Sequence, residues 1–256
     1  MSCFDFDGKQ VYYSEKGSGQ PLLFLHGNTA SSKMYEQVSE AYTKDFKVIL
    51  IDFLGHGKSD RLETFPADLW FYEAQQVIAF LKMKQYTDVD IIGSSGGAIV
   101  AINAALEAPE LVRKVIADSF EGETANSAFT KNLMKDRAAA KNDPGARGFY
   151  EYMHGSDWEQ IVDNDTAAII EHQNNNGHFF HRELSELCAD ILLTGSKEDK
   201  FMYSVSDDYY ETIYADMLRE LNNGRMHLFS KGDHPAMMSN FQEFFGLSMD
   251  FLQDRK

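Results

Sequence analysis

Short apolar runs alternate with longer amphipathic stretches along most of this chain. The runs at 22–25, 48–51, 89–92, 112–117 and 191–193 are rich in Val, Ile and Leu, and 225–229 is a sixth short run ending in Leu228-Phe229. They are short and mostly apolar, as strands covered on both sides are. Between them, apolar positions recur at helical spacing and predict helices over 33–43, 67–84, 97–107, 207–221 and 235–252. Pro109 stands just past the third of these, where a helix has to stop. Asp7-Gly8 predicts a tight hairpin turn leading into Val11-Tyr12-Tyr13. Strands alternating with helices predict a mostly parallel sheet flanked by helices, an α/β architecture.

The rhythm breaks between residues 120 and 187. That stretch shows helical patterns interrupted at Asp143-Pro144-Gly145 and at Asn174-Asn175-Asn176-Gly177, and no strand pattern. The chain therefore divides into a core, 1–119 and 188–256, and a helical insertion, 120–187. The insertion follows a strand end, which is where open α/β sheets bind ligands. No repeat or low-complexity tract interrupts the chain.

Composition narrows the class. Of 256 residues, 43% are hydrophobic, enough for a packed core rather than disorder. Lys plus Arg is 24 against 40 Asp plus Glu, a net charge of −16. That balance repels nucleic-acid backbones and anionic lipid, so the expected partner is a small-molecule substrate, not nucleic acid or membrane. Two cysteines, Cys3 and Cys188, cannot build a disulfide framework, and no Cys/His spacing matches a zinc site. No apolar run has signal-peptide or membrane-spanning character, so a cytoplasmic protein is expected. Nothing in the sequence sets the oligomeric state.

The chemistry concentrates at Ile91-Ile92-Gly93-Ser94-Ser95-Gly96-Gly97-Ala98. Strand, Gly-x-Ser-x-Gly, then helix is the pattern of a nucleophile on a sharp, strained turn. Positions two before and two after such a serine must be small, and both are glycine. A helix N-terminus there favours developing negative charge. Ser94 is the neighbouring hydroxyl, but the glycine frame centres on Ser95. A bland Gly/Ser helix cap is the competing explanation.

A serine hydroxyl needs a base, an orienting acid and an oxyanion hole. His234 follows the last strand in Gly232-Asp233-His234-Pro235 and is the candidate base. His26 and His56 lie in glycine-rich turns and read as structural. His154, His172, His178 and His181 fall in the insertion without a metal-ligand spacing. The acid is expected after the run at 191–193, where Glu198 and Asp199 are adjacent. Asp199 is the choice, Glu198 the runner-up, and Asp118 a third possibility or a strand-end cap. Backbone N–H groups of Asn28 and Gly96 are the candidate oxyanion donors.

In this order, these residues resemble the α/β-hydrolase superfamily, in particular its small capped esterases. The resemblance covers nearly the whole chain and includes His26-Gly27 after a strand. It also includes Asp52-Phe53-Leu54-Gly55-His56-Gly57-Lys58-Ser59, the Ser95 turn, the loop from Gly195 to Asp199 and the His234 loop. It implies an eight-stranded sheet with a helical cap, structural roles for Asp52 and His56, and neither metal nor organic cofactor. Two departures stand out. The family acid often stands three residues after its loop glycine, which here is Glu198, and a small residue often precedes the histidine, where this chain has Asp233. The expectation is a serine hydrolase cleaving a carboxylic ester through an acyl-enzyme. The alternatives are a ligand sensor with little turnover, or a cofactor-free haloperoxidase, thioesterase or C–C hydrolase on the same frame.

Overall fold

The structure, a computed structural model, describes residues 2–254. Eight strands form one sheet: β1 (Ser2–Phe6), β2 (Lys9–Gly17), β3 (Gln20–Leu25), β4 (Phe46–Ile51), β5 (Val89–Ser94), β6 (Val112–Asp118), β7 (Asp190–Ser196) and β8 (Gly224–Phe229). Their order across the sheet is β1-β2-β4-β3-β5-β6-β7-β8. Only the β1–β2 and β2–β4 pairs are antiparallel. Every other pair is parallel. Asp7 and Gly8 turn the first hairpin with φ of 51° and 75°, the conformation a two-residue loop needs.

Why the central strands are largely apolar is visible in the two cores. Leu23, Leu25, Ile49, Ile91, Val115 and Leu193 pack on one face of the sheet, beneath helices α1 (Leu69–Lys84) and α2 (Gly96–Glu107). Leu22, Phe24, Val48, Ile92, Ile116 and Leu192 pack on the other. Alternate residues of one strand thus bury into opposite cores. The second core is covered by Tyr35 and Tyr42 and by the C-terminal helices.

Two predicted helices differ from the structure. The stretch 33–43 forms two short 3-10 turns, Ser32–Tyr35 and Ser39–Tyr42, not one α-helix. Tertiary bonds hold it flat on the sheet. Asp52 accepts the Ser32 N–H at 2.7 Å, and the Tyr35 hydroxyl reaches the Leu25 carbonyl at 3.2 Å. The stretch 235–252 is broken at Asn240, whose side chain donates to Ser196 Oγ at 2.9 Å.

Between β6 and β7 lie helices α3 (Ser127–Thr130), α4 (Leu133–Ala140), α5 (Pro144–His154) and α6 (Trp158–Asn175). Asp143 caps α5 by accepting the Ala146 N–H at 2.9 Å, and Pro144 occupies its first turn. The ends of this insertion close on each other. Thr124 bridges His178, and Ala125 N–H donates to the Gly177 carbonyl at 2.7 Å. After β7 come α7 (Tyr209–Glu220), then β8, α8 (Ala236–Ser239) and α9 (Phe241–Gln253).

Candidate active site

Strand β5 ends at Ser94 and α2 begins at Gly96, so Ser95 alone makes the turn between them. Its backbone sits at φ 55°, ψ −126°, a region that costs a non-glycine residue on the order of 1–3 kcal/mol. The flanking glycines are compulsory. A Cβ on Gly93 would overlap the Gly97 carbonyl, and one on Gly97 would overlap the Leu25 carbonyl. The loop after β3 packs against the same turn: a Cβ on Gly27 would stand 3.0 Å from Ser95 Cβ.

His234 leaves the β8–α8 loop with Nδ1 2.9 Å from Asp199 Oδ2. With a carboxylate as partner, Nδ1 carries the proton and donates it. Asp199 is fully buried and held from three further sides. Tyr210 of α7 donates its hydroxyl to Oδ2 at 2.7 Å. The N–H groups of Phe201 and Met202 donate to Oδ1 at 3.1 and 3.2 Å. Burial pushes the Asp199 carboxyl up. The His234 hydrogen bond and charge, then Tyr210 and the Met202 N–H, outweigh it, so the net shift is down and the group is ionised. Burial lifts the Tyr210 hydroxyl well above its ordinary range, so it stays a donor.

Glu198 turns the other way, its Oε2 3.4 Å from the Gly232 N–H on the open side of the loop. Asp118 does not face the imidazole either. Its Oδ1 accepts from Thr194 Oγ1 at 2.8 Å, and its Oδ2 from Ser94 Oγ at 3.1 Å and from the Met237 N–H at 3.0 Å. It ties the end of β6 to α8 just beyond His234, and burial raises its carboxyl to about 6. Ser94 is spent on that brace.

Asn28 follows β3. Its Oδ1 accepts from Trp70 Nε1 at 3.2 Å and its Nδ2 donates to Asp165 at 2.9 Å. Among the described residues, no acceptor takes the Asn28 or Gly96 backbone N–H. A Cβ on Gly96 would run into the Asn28 side chain, so the loop after β3 lies directly against the start of α2.

Ser95 and His234 stand on the wall of two cavities. One, of about 440 Å³, runs under the insertion and is lined by Trp70, Ile99, Phe120, Phe129, Ile169 and Phe201 among others. Glu121 also lines it, and burial raises that carboxyl to about 7. The second, of about 680 Å³, lies on the other side and includes Met34, Phe149, Tyr152, Met153 and Met238. Of the insertion aromatics, Phe120, Phe129 and Tyr150 face the first cavity, whereas Trp158 and Phe179 are buried in cores.

The remaining histidines are structural in their contacts. His26 accepts the Phe53 N–H at 3.2 Å. His154 accepts the Gly57 N–H at 3.1 Å on one nitrogen and reaches the Thr29 carbonyl at 3.0 Å with the other. His56 is packed rather than hydrogen-bonded. Both ring nitrogens are buried without a hydrogen bond, with Glu73 at 3.8 Å and Asp165 at 4.0 Å. His172 lies against the Ala67 carbonyl at 3.2 Å, and His181 meets Asp68 at 2.6 Å. Asp52 accepts the Lys58 N–H at 2.7 Å and holds its own loop closed.

Sequence reasoning missed Tyr210, Trp70, Glu121 and Asp165. Each belongs to a separate element and carries no local motif, so only its position in space marks it.

The family model for the alpha/beta hydrolase fold matches residues 20–159, and the chain belongs to that family. The mouse (Mus musculus) protein named serine hydrolase BPHL is 26% identical over 257 residues, covering 96% of this chain and 84% of its own. A 2-hydroxy-6-oxo-6-phenylhexa-2,4-dienoate hydrolase from Comamonas testosteroni is 23% identical over 271 residues, covering 96% and 92%. Among solved structures, an esterase from Exiguobacterium antarcticum superposes with a TM-score of 0.72 at 19% identity, covering 97% of each chain. No helix among the described residues is long and apolar enough to cross a membrane.

Proposed function

We propose that this chain is a serine hydrolase that cleaves a carboxylic ester, or a related acyl bond, of a small molecule through a Ser95–His234–Asp199 triad. The observation that carries the reading is the 2.9 Å contact between His234 Nδ1 and a buried, ionised Asp199, on the wall of cavities that also expose Ser95. An imidazole with Nδ1 protonated and hydrogen-bonded presents an unprotonated Nε2, the form a general base needs.

Ser95 Oγ attacks the acyl carbon while Nε2 takes its proton. The carbonyl oxygen becomes an oxyanion, held by the Asn28 and Gly96 N–H groups. The imidazolium then returns the proton to the departing alkoxide, leaving an acyl-serine. Water attacks that ester, again through Nε2, and releases the acid with Ser95 restored. Residues 120–187 act as a cap over the smaller cavity, whose aromatic lining suits an apolar substrate group. No step draws on a metal or an organic cofactor.

The resemblance to the Comamonas enzyme, whose name denotes cleavage of a dienoate, keeps C–C bonds in the substrate panel. The test combines fluorophosphonate labelling with steady-state turnover of p-nitrophenyl acetate and of longer acyl esters. Labelling that maps to Ser95 together with multiple turnovers supports the reading. Labelling with no turnover on any ester, thioester or dienoate points to a ligand sensor instead.

A further inference from the structure

Asn28 and Thr29, the dipeptide after β3, are gripped almost wholly by the insertion. Asp165, on α6 and fully buried, accepts Asn28 Nδ2 at 2.9 Å and the Thr29 N–H at 3.2 Å on one oxygen, Oδ2. Arg137 of α4 donates to Thr29 Oγ1 at 3.2 Å, and His154 of α5 meets the Thr29 carbonyl at 3.0 Å. From the core, among the described residues, only Trp70 joins in, donating to Asn28 Oδ1 at 3.2 Å. Thr29 Oγ1 closes the Asn28 carbonyl at 2.7 Å. That leaves one polar group of the dipeptide unengaged among the described residues, the Asn28 N–H that the proposed mechanism aims at the oxyanion.

Thr29 is at φ 56°, a left-handed conformation that a β-branched residue adopts only under constraint. The constraint is supplied from outside the loop. Asp165 is suited to it because a carboxylate only accepts, and its nearest neighbours donate. Arg137 stands 3.7 Å from its other oxygen and balances its charge in a buried site.

We propose that Asp165 is a positioning residue for the oxyanion hole: from the insertion it fixes the Asn28–Thr29 loop, so the hole is complete only when the cap is seated. This rests on the serine-hydrolase reading of Ser95. It predicts that a residue contacting no reacting atom controls transition-state stabilisation through the shape of the loop.

Two substitutions separate the possibilities. Asp165→Asn can keep both loop bonds with its amide oxygen in the place of Oδ2, and it sets its NH2 in the place of Oδ1, which makes no hydrogen bond, so it removes the charge and leaves the grip. Asp165→Leu removes both bonds. Thr166→Val serves as control: Thr166 is the next residue of α6 and bonds only to the Val162 carbonyl within the helix. For Asp165→Leu, kcat on an activated ester should fall about 10–100-fold with KM within about 3-fold, less than or comparable to losing one oxyanion donor outright, whereas Asp165→Asn, which keeps the acceptor, should lose clearly less. Affinity for phenylboronic acid, whose tetrahedral Ser95 adduct occupies the hole, should fall in parallel. Thr166→Val should keep kcat near that of the parent even where its melting temperature drops as far.

The proposal is overturned if Asp165→Leu keeps kcat within about 2-fold, if Asp165→Asn loses as much as Asp165→Leu, or if the loss lies in KM alone. It is also overturned if Thr166→Val loses as much kcat at the same loss of melting temperature. Failure of fluorophosphonate to label Ser95 in the parent protein would instead sink the serine-hydrolase reading itself, so the two failures are distinguishable.

Discussion

Asp199 and Glu198 are adjacent, similar in chemistry, and placed in opposite surroundings. One is buried against His234, Tyr210 and two backbone N–H groups; the other faces the open side of its loop. Asp199→Asn should therefore lower kcat/KM by about 10³–10⁴-fold, because an amide at that position favours the wrong imidazole tautomer. Glu198→Gln should change it by no more than about 2-fold, as exposed substitutions away from a site do. Rates of both variants on one activated ester decide it, and a crippled Glu198→Gln would reverse the assignment. Ser95→Ala should remove the acyl-enzyme route and leave the fold intact. Residual rates of roughly 10³–10⁴ over water are what an oxyanion hole and binding alone sustain. Retained turnover in Ser95→Ala, with loss in Ser94→Ala, would shift the nucleophile by one residue.

The strand–turn–helix unit from β5 to α2 works only if three backbones can approach one another. Gly93 lies against the Gly97 carbonyl, and Gly97 against the Leu25 carbonyl of β3. Both obstacles are main chain, one in the first turn of α2 and one at the end of β3, and cannot swing aside as a side chain can. Gly97→Ala should thus cost about 1–3 kcal/mol or more in stability, the range for overpacking a filled interior, and should move Ser95 as the turn opens. Urea unfolding and fluorophosphonate labelling rate together test this: unchanged values in both would show that the turn has slack. The helix predicted over 235–252 is divided into α8 and α9 for a tertiary reason. Its apolar period runs on through Asn240, yet that side chain bonds Ser196 on β7 and splits the helix there.

Stability of the entire fold should respond to pH through buried carboxyls that are not on the reaction path. Asp118 has its pKa raised from 3.8 to about 6, chiefly by burial, against the hydrogen bonds it accepts from Met237, Thr194 and Ser94 and the nearby His234 charge. Between those values the folded chain holds a proton that the unfolded chain has released. Its contribution is therefore full below about pH 3.8 and is lost as pH rises through about 6. At 1.36 kcal/mol per unit the change is on the order of 3 kcal/mol. Measured by urea denaturation, the stability deficit of Asp118→Asn relative to the parent should shrink from pH 4 to pH 7. A deficit constant across that range would show that Asp118 titrates normally.

Much of this architecture is written in local pattern. A strand buried on both faces has to be largely apolar, so β3 to β7 are visible as runs. Asp7-Gly8 has to turn, and a serine between β5 and α2 has to be framed by Gly93 and Gly97 whatever surrounds it. The loops carrying Asp199 and His234 could be located for the same reason, because each follows a strand end in a repeating alternation. Which carboxylate of the Glu198–Asp199 pair meets His234 depended on the donors arriving from α7 and from the chain at Phe201 and Met202. The 3-10 turns at 32–35 and 39–42 depended on Asp52 and on two tyrosines anchored to the sheet and α9. Asp165, Arg137 and His154 converge on Thr29 across separations of 136, 108 and 125 residues. Periodicity reports which face of an element is buried, but not which polar group on another element it will meet, and that pairing is settled only when the chain packs.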